Sequence, residues 1–309
     1  MGLFDKLKGP VFLKDDSEAE EQLRVLEDLL AQASGDAADA IAREVQIVKA
    51  GIAGEQQIRF ELESSHIPMY VLHDLFLEHN GLTSQIDYLI VTRYHQYVLE
   101  CKNLYGDIEI NGSGDFIRTV TYGKYRKKEG IYSPITQNRR HLELIKEMRA
   151  EGKNALAKAL FEKNFYNNYL SIVVLANPKT VLNTRYAKKA VKDQVIRADQ
   201  LAEYIRARDS APGSVASSEK DMENLARFFM DANKKREVDY TERFREMLAN
   251  ESEAKTEAHP EPSTDDEVVK CPRCGAPMVK RKAVNGKNAG KCFYGCSAYP
   301  KCRGIVPID

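Results

Sequence analysis

Gln85-Ile86-Asp87-Tyr88-Leu89-Ile90-Val91 and, a short loop later, Tyr97-Val98-Leu99-Glu100-Cys101-Lys102 are the two runs of sequence that decide the fold. Both are rich in β-branched and aromatic residues, which predicts two neighbouring strands. Each run nevertheless contains charged side chains, which are poor strand residues and costly to remove from water. The charges indicate either a solvated sheet face or a site that uses them.

The geometry of a hairpin favours a site. Residues two apart on a strand point the same way, so Glu100 and Lys102 share one face. If the strands are joined by a four-residue loop that begins at Arg93 or Thr92, Asp87 lies opposite Lys102 or Glu100, respectively. A loop of odd length would turn Asp87 to the other face.

Two carboxylates and an ammonium at a strand end suit metal-assisted hydrolysis of a phosphodiester. Mg²⁺ and Mn²⁺ prefer oxygen ligands, so Asp87 and Glu100 would anchor the ion, and the carbonyl of Cys101 could add a ligand. Lys102 would then orient or deprotonate the attacking water, or stabilise the charge on the phosphate. The alternative is an exposed strand with a Glu/Lys pair.

Three short motifs, in this order, resemble the nuclease-related domain (NERD) of the PD-(D/E)XK nuclease superfamily: Gly54-Glu55-Gln56, Ile86-Asp87-Tyr88-Leu89-Ile90 and Leu99-Glu100-Cys101-Lys102-Asn103. The resemblance implies a restriction-endonuclease-like fold and nuclease activity. It also implies roles in metal binding and hydrolysis for Asp87, Glu100 and Lys102, with assistance from Glu55 and from Gln137 in Pro134-Ile135-Thr136-Gln137-Asn138.

Cysteine spacing marks a second feature near the C-terminus. Cys271-Pro272-Arg273-Cys274-Gly275 has the form of a metal knuckle, in which the glycine permits a turn that points amides at sulfur. A second pair of thiols, Cys296 and Cys302, follows after a hairpin-length segment. Four thiolates would complete a tetrahedral Zn²⁺ site, and zinc binding would supply the folding free energy of so small a module, on the order of 10 kcal/mol.

The segment from Phe293-Tyr294-Gly295-Cys296-Ser297 to Tyr299-Pro300-Lys301-Cys302 resembles the zinc finger at the C-terminus of bacterial type I topoisomerases. We assign Cys271, Cys274, Cys296 and Cys302 as the zinc ligands and leave Cys292 spare. Exchange of Cys292 for Cys296 is one alternative. Disulfide formation is the other, which the absence of a secretion signal disfavours.

Although the net charge is zero, basic and acidic residues are unevenly distributed along the chain. Nine Lys or Arg and no acid lie between Lys270 and Arg303, and nine Lys or Arg outnumber four acids between Asp115 and Arg149. Basic side chains follow phosphates and exposed aromatic rings stack on unpaired bases, so DNA, single-stranded or branched, is the expected partner. The residues that we expect to contact nucleic acid are Lys124, Arg126, Lys127, Lys128, Arg273, Lys280, Arg281, Lys282, Phe293, Tyr294, Tyr299 and Lys301. A solvated basic surface that contacts protein is the alternative.

The pattern along the chain predicts mixed α/β architecture: a mixed sheet flanked by helices, preceded by an N-terminal helical region and followed by a tethered zinc ribbon. We expect strands at Met69–Leu77, Ile86–Thr92, Tyr97–Lys102, Phe116–Thr121 and Leu170–Ala176. Helices are expected within Ser17–Gly51, after Gly54, and over Ser133–Arg149, Arg185–Ala190, Ala198–Arg208 and Glu219–Asn250. The predicted regions are an N-terminal helical region (1–50), a nuclease-related domain (51–208), a linker and helix (209–250), an acidic disordered linker (251–268) and the zinc ribbon (269–309).

These observations predict a cytoplasmic, Mg²⁺- or Mn²⁺-dependent DNA nuclease with a structural zinc, acting in DNA processing or repair. No apolar run reaches the roughly 20 residues that a bilayer span requires, so no membrane partner is expected. The first alternative is a catalytically inactive DNA-binding adaptor that uses the nuclease-like domain for interactions. The second makes the N-terminal helices a binding site for a protein partner in an assembly.

Overall fold

The computed structural model of the chain describes residues 7–257, 269–283 and 291–308, and it divides into two units after Leu248. The strands of the first unit are β1 (Pro10–Lys14), β2 (Met69–His79), β3 (Leu82–Thr92), β4 (Gln96–Lys102), β5 (Asp107–Ile110), β6 (Phe116–Tyr122), β7 (Tyr125–Ile131), β8 (Tyr169–Leu175), β9 (Leu182–Asn183) and β10 (Val195–Arg197). The helices are α1 (Glu18–Gln32), α2 (Gly35–Ser64), α3 (Pro134–Ala150), α4 (Ala155–Asn168), α5 (Lys189–Lys192), α6 (Leu201–Asp209), α7 (Glu219–Ala232) and α8 (Glu242–Glu257), with a short 3-10 turn at Ala198–Gln200. The zinc ribbon contains β11 (Met278–Lys282), β12 (Cys292–Cys296) and β13 (Ile305–Pro307).

A six-stranded mixed sheet forms the centre of the first unit, in the order β1-β2-β3-β4-β8-β10. The strands β2, β3 and β4 are antiparallel neighbours, whereas β1, β8 and β10 join the sheet by parallel pairing. Parallel neighbours need crossover connections, which the helices supply. The prediction of a mixed sheet flanked by helices is confirmed.

The register of β3 against β4 is that of the four-residue loop that begins at Thr92. Tyr88 pairs with Leu99 and Val91 pairs with Gln96. Continuing the register by one residue places Asp87 opposite Glu100. One of the two even-length loops that the sequence allowed is therefore the one that forms.

Each face of the central sheet has its own apolar core. On one face, Tyr88 and Leu99 pack with Ile58 of α2 and with α6. On the other, Leu89 and Val98 pack with α3, α4 and α7. The alternation predicted for β4 is confirmed, because consecutive residues of this strand enter different cores.

The N-terminal helices form a small core of their own. Leu26 of α1 packs with Ile41 and Val45 of α2 and with Phe244 of α8. The helix that bears Glu55 was expected to begin after Gly54, which is wrong. Instead α2 runs without a break from Gly35 to Ser64, because tertiary packing of its buried residues overrides the weak helix propensity of glycine.

Two other predicted helices differ from the structure. The chain from Arg185 to Ala190 is mostly loop, since the side-chain oxygen of Asn183 accepts a hydrogen bond from the amide of Arg185 and forms a turn. The predicted helix from Glu219 to Asn250 is interrupted between α7 and α8. There the Asn233 side-chain oxygen accepts a hydrogen bond from the Phe76 amide of β2, and the Lys234 amide donates to the Phe76 carbonyl oxygen, at 2.8 Å each. The Lys234 amide is therefore paired with the sheet and not with a helix carbonyl.

A second sheet has four strands in the order β7-β6-β5-β9; β5, β6 and β7 are inserted between β4 and α3, whereas β9 follows β8. Its inner face buries Ile108, Ile110 and Phe116 against Val173 and Leu175 of β8. The hairpin of β6 and β7 extends from this packed part. It turns at Gly123, which has a φ of 57°.

In the C-terminal unit, β12 pairs with β11 and with β13, both antiparallel. The predicted acidic linker, 251–268, lies partly in α8, which continues to Glu257, and its remaining residues fall outside those that the structure describes. None of the described helices combines the length and the apolar character that a membrane crossing requires.

Candidate active site and zinc site

The strands β3 and β4 separate where the predicted charged residues begin. Their paired residues end at Tyr88 and Leu99, so the backbone amide of Cys101 finds no partner in β3. The Asp87 carboxylate accepts its hydrogen bond at 2.7 Å. Because a buried amide without a partner would be costly, the split between the strands fixes the Asp87 side chain between them.

Glu100 is the most buried of the predicted carboxylates, with 1% of its surface exposed. The ammonium of Lys102 lies 2.6 Å from Glu100 Oε1 and 3.2 Å from the side-chain oxygen of Gln137. All five residues predicted to act in hydrolysis line one cavity of about 300 Å³: Glu55, Asp87, Glu100, Lys102 and Gln137.

The helix α3 is seated on the sheet by a buried polar anchor. The Asn138 side-chain nitrogen lies 2.7 Å from the carbonyl oxygen of Val98 and 2.9 Å from the Ser171 hydroxyl. Since Asn138 follows Gln137 in the chain, these hydrogen bonds also fix the position of Gln137 relative to Lys102 on the sheet. The sequence pattern of α3 gave no sign of this contact.

His141, one turn after Gln137 on α3, is a site residue that the sequence analysis missed. Its Nε2 lies 3.4 Å from Glu100 Oε2, and its Nδ1 makes a short hydrogen bond to the hydroxyl of Ser84 on β3. Spacing of four residues from Gln137 on a helix was the available signal, because residues i and i+4 share a face.

Glu55 reaches the cavity from α2, on the opposite face of the sheet. Its carboxylate bonds Nε2 of His73 at 2.9 Å, and the His73 ring stacks on Tyr88 with 4.5 Å between ring centroids. The helix comes this close because Gly54 has no side chain. A Cβ at Gly54 would lie 2.6 Å from the Cβ of Asn103.

Asp74 supports the site from β2, beside Asp87. It is buried with a φ of 49°, outside the range of ordinary strand residues. Its carboxylate accepts hydrogen bonds from the Ser17 hydroxyl and the Glu18 amide, at the start of α1, and from Arg236 at 2.8 Å. Burial opposes the charge, but Arg236 and these donors lower the pKa of Asp74.

The electrostatics of the cavity show uncompensated negative charge. Burial and the neighbouring carboxylates of Glu100 and Glu55 raise the pKa of Asp87 well above its usual value. Burial acts against the charge on Lys102, but its contact with Glu100 outweighs this and raises the pKa of Lys102. The ammonium therefore stays protonated at neutral pH, and a cation bound beside Asp87 would relieve the remaining repulsion.

The residues present fit a hard divalent cation. Glu100 Oε2 is buried and accepts no hydrogen bond from the described residues, and His141 Nε2 lies within ion-pair distance of it, at 3.4 Å. Mg²⁺ keeps several waters and needs one or two carboxylates, which Glu100 and Asp87 provide. The carboxylates of Glu55, Asp87 and Glu100 do not come within 4.8 Å of one another as a set of three ligands. Within the described parts of the chain, only the four cysteines form a group of three or more ligand atoms at that distance.

In the ribbon, the sulfurs of Cys271, Cys274, Cys296 and Cys302 lie within 4.8 Å of one another. The sulfurs of Cys271 and Cys302 are 3.7 Å apart, and those of Cys274 and Cys296 are 3.4 Å apart. A tetrahedral zinc with bonds of about 2.3 Å separates its sulfurs by about 3.8 Å, so the four thiols fit Zn²⁺. Cys292 is exposed and outside this cluster.

Backbone groups shape the thiol cluster as the knuckle predicts. The amide of Arg273 and other donors lower the pKa of Cys271 to about 7, and Gly275 has the positive φ, 71°, that the turn needs. Gly304 is also required, since a Cβ there would lie 2.3 Å from the Cys271 sulfur.

Residues 50–176 match the family model of the nuclease-related domain, NERD. Over these residues the chain is similar to this family, and we refer to the region as the NERD domain. Residues 268–309 match the model described as the topoisomerase DNA binding C4 zinc finger. The two matches support a nuclease-like fold for the NERD domain and DNA binding by the zinc ribbon.

Three curated proteins are similar to parts of the chain. DNA topoisomerase 1 of Methanocaldococcus jannaschii is 49% identical over 39 residues, which are 13% of this chain and 4% of that protein. DNA topoisomerase 1 of Archaeoglobus fulgidus is 34% identical over 103 residues, 31% of this chain and 14% of that protein. An uncharacterized protein of Bacillus anthracis is 32% identical over 114 residues, 36% of this chain and 52% of that protein. The chain thus spans about half the length of this last relative and far less of the other two, and no solved structure matches it significantly.

The residues predicted to contact nucleic acid lie on two separate surfaces. In the NERD domain, Lys124 is in the turn of the β6–β7 hairpin, and Arg126, Lys127 and Lys128 follow on β7. In the ribbon, the exposed members are Arg273, Lys280, Arg281, Lys282, Tyr299 and Lys301. Phe293 is half-buried, and Tyr294 packs against the thiol cluster.

Proposed function

We propose that this chain is a divalent-metal-dependent DNA nuclease, in which the NERD domain hydrolyses phosphodiester bonds and the zinc ribbon holds the DNA. One observation carries the proposal: Glu100, which lines the cavity with Asp87 and Lys102, has a buried carboxylate oxygen, Oε2, that accepts no hydrogen bond and has only the ion-pair contact with His141 Nε2 at 3.4 Å among the described residues. A buried charged atom without a hydrogen-bond donor is costly. A cation that binds there would remove the cost.

Asp87 and Glu100 would hold the Mg²⁺ or Mn²⁺ ion. When bound, such an ion polarises a phosphoryl oxygen and makes a coordinated water more acidic. Lys102 stabilises the negative charge that grows on the phosphate, since its raised pKa keeps it an ammonium and makes it a poor base. Gln137 orients that ammonium through the 3.2 Å contact.

Glu55 assists from the other face of the sheet. Its hydrogen bond to His73 fixes the carboxylate at the edge of the cavity, where it can accept a hydrogen bond from a water or from a hydrated ion. It is therefore proposed to orient water rather than to bind the ion directly. The Asp74 network holds β2 in place beneath this arrangement.

The zinc ribbon and the β6–β7 hairpin would bind the DNA backbone. The topoisomerase relatives and the C4 zinc finger match support the ribbon in this role. On the ribbon, the proposed DNA contacts are the exposed basic residues of β11, together with Arg273, Tyr299 and Lys301, and Phe293 and Tyr294 of β12. On the NERD domain, the proposed DNA contacts are Lys124, Arg126, Lys127 and Lys128. Zinc has a structural role only, because its four thiolates leave no open position. A role in DNA processing or repair and a cytoplasmic location remain predictions from the sequence.

The test separates metal binding from cutting. Wild type, Glu100→Gln and Lys102→Ala are incubated with single-stranded, duplex and flapped DNA in Mg²⁺ or Mn²⁺, and Mn²⁺ binding is titrated by water-proton relaxation. We expect Glu100→Gln to lose both Mn²⁺ binding and cutting, and Lys102→Ala to lose cutting alone. Lys158→Ala, on the surface of α4, is the matched lysine control. Wild-type cutting by Lys102→Ala, or no metal-dependent cutting by wild type, would refute the nuclease.

One observation favours the second candidate, an inactive DNA-binding adaptor. Lys102 lies 2.6 Å from Glu100 and neutralises part of its charge without any metal. If this pair is purely structural, Mn²⁺ will not bind, DNA will be bound but not cut, and Glu100→Gln will mainly lower stability. The same titration and cutting assays decide between the two.

A further inference from the structure

The second sheet, β7-β6-β5-β9, has a position in the chain that ties it to the cavity. Three of its strands, β5, β6 and β7, form an insertion that enters directly after Lys102 and leaves directly before α3, which carries Gln137, whereas β9 follows β8. Both ends of the insertion therefore lie at the candidate active site. The packed part of the sheet consists of the inner residues of β5, the start of β6, Ile131 at the end of β7 and Leu182 of β9, so the protruding hairpin tip lies outside this core.

Three exposed tyrosines cluster at this hairpin tip. Tyr122 and Tyr125 are directly opposite each other across the β6–β7 pair, which places both side chains on one face. Tyr105, just before β5, stacks on Tyr122 with 6.1 Å between the ring centroids and 30° between the planes. Their exposed fractions are 52% for Tyr105, 65% for Tyr122 and 64% for Tyr125. Three large rings side by side in water form a surface on which a flat partner can stack.

The charge around the rings is positive. Lys124 lies in the turn between Tyr122 and Tyr125, and Arg126 follows on β7. In the described parts of the chain neither makes an ion pair, whereas Lys127 bonds Glu129 at 2.8 Å and Lys128 lies 3.7 Å from Glu109. Lys124 lies in the turn beside the rings, and Arg126 lies on the opposite face of the same hairpin, since successive strand residues alternate. Two cations without acidic partners at a tip that carries stacked rings fit a ligand that is both aromatic and anionic.

Single-stranded DNA has this chemistry. Its bases expose their faces for stacking and its phosphates accept Lys and Arg contacts. Duplex DNA hides the base faces inside its own stack, so it could use the two cations but not the three rings. A proline-rich peptide could use the rings but would leave the cations without partners.

The distance to the cavity is short. Tyr105 follows Lys102 by three residues, which span at most about 11 Å of chain. Stacked bases are spaced by about 3.4 Å along a strand, so a base on Tyr105 is within about three nucleotides of a phosphate beside Lys102.

We propose that Tyr105, Tyr122 and Tyr125 form a stacking platform for unpaired bases, which makes single-stranded DNA or a single-stranded flap the substrate that the NERD domain accepts. The choice of substrate rests on the proposed nuclease function, whereas binding to the platform does not. Stacking by each ring raises the affinity for a single strand and leaves the affinity for a duplex unchanged.

The experiment measures binding without turnover, in buffer without Mg²⁺ or Mn²⁺ so that the zinc ribbon keeps its metal, by fluorescence anisotropy of a labelled single strand and of its duplex. The variants are Tyr122→Ala, Tyr122→Phe and the double variant Tyr105→Ala with Tyr122→Ala, all in the full chain. Tyr240→Ala, at a tyrosine that is 50% exposed near the start of α8, is the matched control. The series is repeated in a background in which the three basic residues of β11 are alanine, so that the ribbon does not mask the platform.

We expect Tyr122→Ala to weaken single-strand binding about fivefold or more, and the double variant to weaken it further, while duplex binding changes less than twofold. Tyr122→Phe should bind as the wild type does, because phenylalanine keeps the ring. Unchanged single-strand affinity in the double variant, or an equal loss for duplex, would overturn the platform. So would a fall in molecular mass on sedimentation for Tyr122→Ala, which would make the rings a contact between two copies of the chain.

Cutting distinguishes failure of the platform from failure of the nuclease. If single-strand binding depends on the rings but no protein cuts in Mg²⁺ or Mn²⁺, the platform stands and the nuclease fails. If the wild type cuts a single strand and the double variant cuts and binds it equally well, the nuclease stands and the platform fails.

Discussion

Replacing Gly54 by alanine tests how closely α2 must approach the candidate active site. The new Cβ would lie 2.6 Å from the Asn103 Cβ and 3.1 Å from the Cys101 sulfur, both shorter than ordinary contact. The helix must therefore retreat by about 1 Å. The next residue is Glu55, so its carboxylate moves with the helix.

Gly51, three residues earlier in the same helix, is the matched control. A Cβ there meets nothing within 4 Å. Alanine in a helix interior stabilises by about 0.5–1 kcal/mol relative to glycine at either position. At Gly54 overpacking opposes this gain by about 1–3 kcal/mol, so the two variants should differ in free energy of unfolding by that amount.

Urea unfolding measures the stability difference, and cutting of a single-stranded oligonucleotide measures the effect on the site. If the proposed nuclease function is correct, a shift of about 1 Å at Glu55 should lower the rate about 100-fold in Gly54→Ala. Gly51→Ala should cut as the wild type does. Equal unfolding midpoints for the two variants would show that the helix does not depend on a close approach at Gly54.

Three further predictions concern Asp74, His141 and Gly304. Asp74→Asn should lower the free energy of unfolding by about 1.5–3 kcal/mol at pH 7, since the buried guanidinium of Arg236 keeps its ion pair with Glu18 but loses the one with Asp74. Because the pKa of Asp74 is lowered in the fold, this difference is complete above about pH 4 and disappears as the pH falls through the folded-state pKa. His141→Gln should weaken Mn²⁺ binding about tenfold in titrations, because the ring no longer orients Glu100. Gly304→Ala should lower the bound zinc measured by mass spectrometry, since its Cβ would collide with the Cys271 sulfur.

Each of these three has its own control. For Asp74→Asn, a stability difference that persists unchanged at pH 3 would contradict the pH argument. His79→Gln, at the far end of β2, should bind Mn²⁺ as the wild type does, and an equal loss there would remove the special role of His141. Full zinc occupancy in Gly304→Ala would show that the thiol cluster does not need the space beside Cys271.

The sequence predicted those parts of the fold in which a local pattern has one solution. Alternation along β4 separates its two faces, and an even-length loop after β3 was expected to place Asp87 opposite either Lys102 or Glu100, of which the structure forms the second register. The cysteine knuckles likewise allow one main ligand set. In contrast, the strand β7 was not predicted. Its sequence, Tyr-Arg-Lys-Lys-Glu-Gly-Ile, has no alternation of apolar and polar residues, since most of its side chains are exposed in the structure.

Contacts between distant elements could not be predicted from one sequence. The approach of His141 to Glu100 depends on how deeply Asn138 seats α3 on the sheet. The hydrogen bond between Glu55 and His73 depends on a glycine that lets a long helix come close. The helix propensity of that glycine alone indicated the opposite, a boundary, because the packing that favours it lies about 50 residues further along the chain at Asn103.

The bonds at Asp74 have a consequence for anyone who wishes to excise the catalytic module. The match to the NERD family covers 50–176, yet this carboxylate takes three hydrogen-bond donors from Ser17, Glu18 and Arg236. A fragment cut at the family limits would keep a buried anion with one remaining donor, the side-chain amide of Gln85, and discard all three of the donors from Ser17, Glu18 and Arg236. The smallest piece worth expressing therefore runs through Leu248, roughly twice the length that sequence matching alone would suggest.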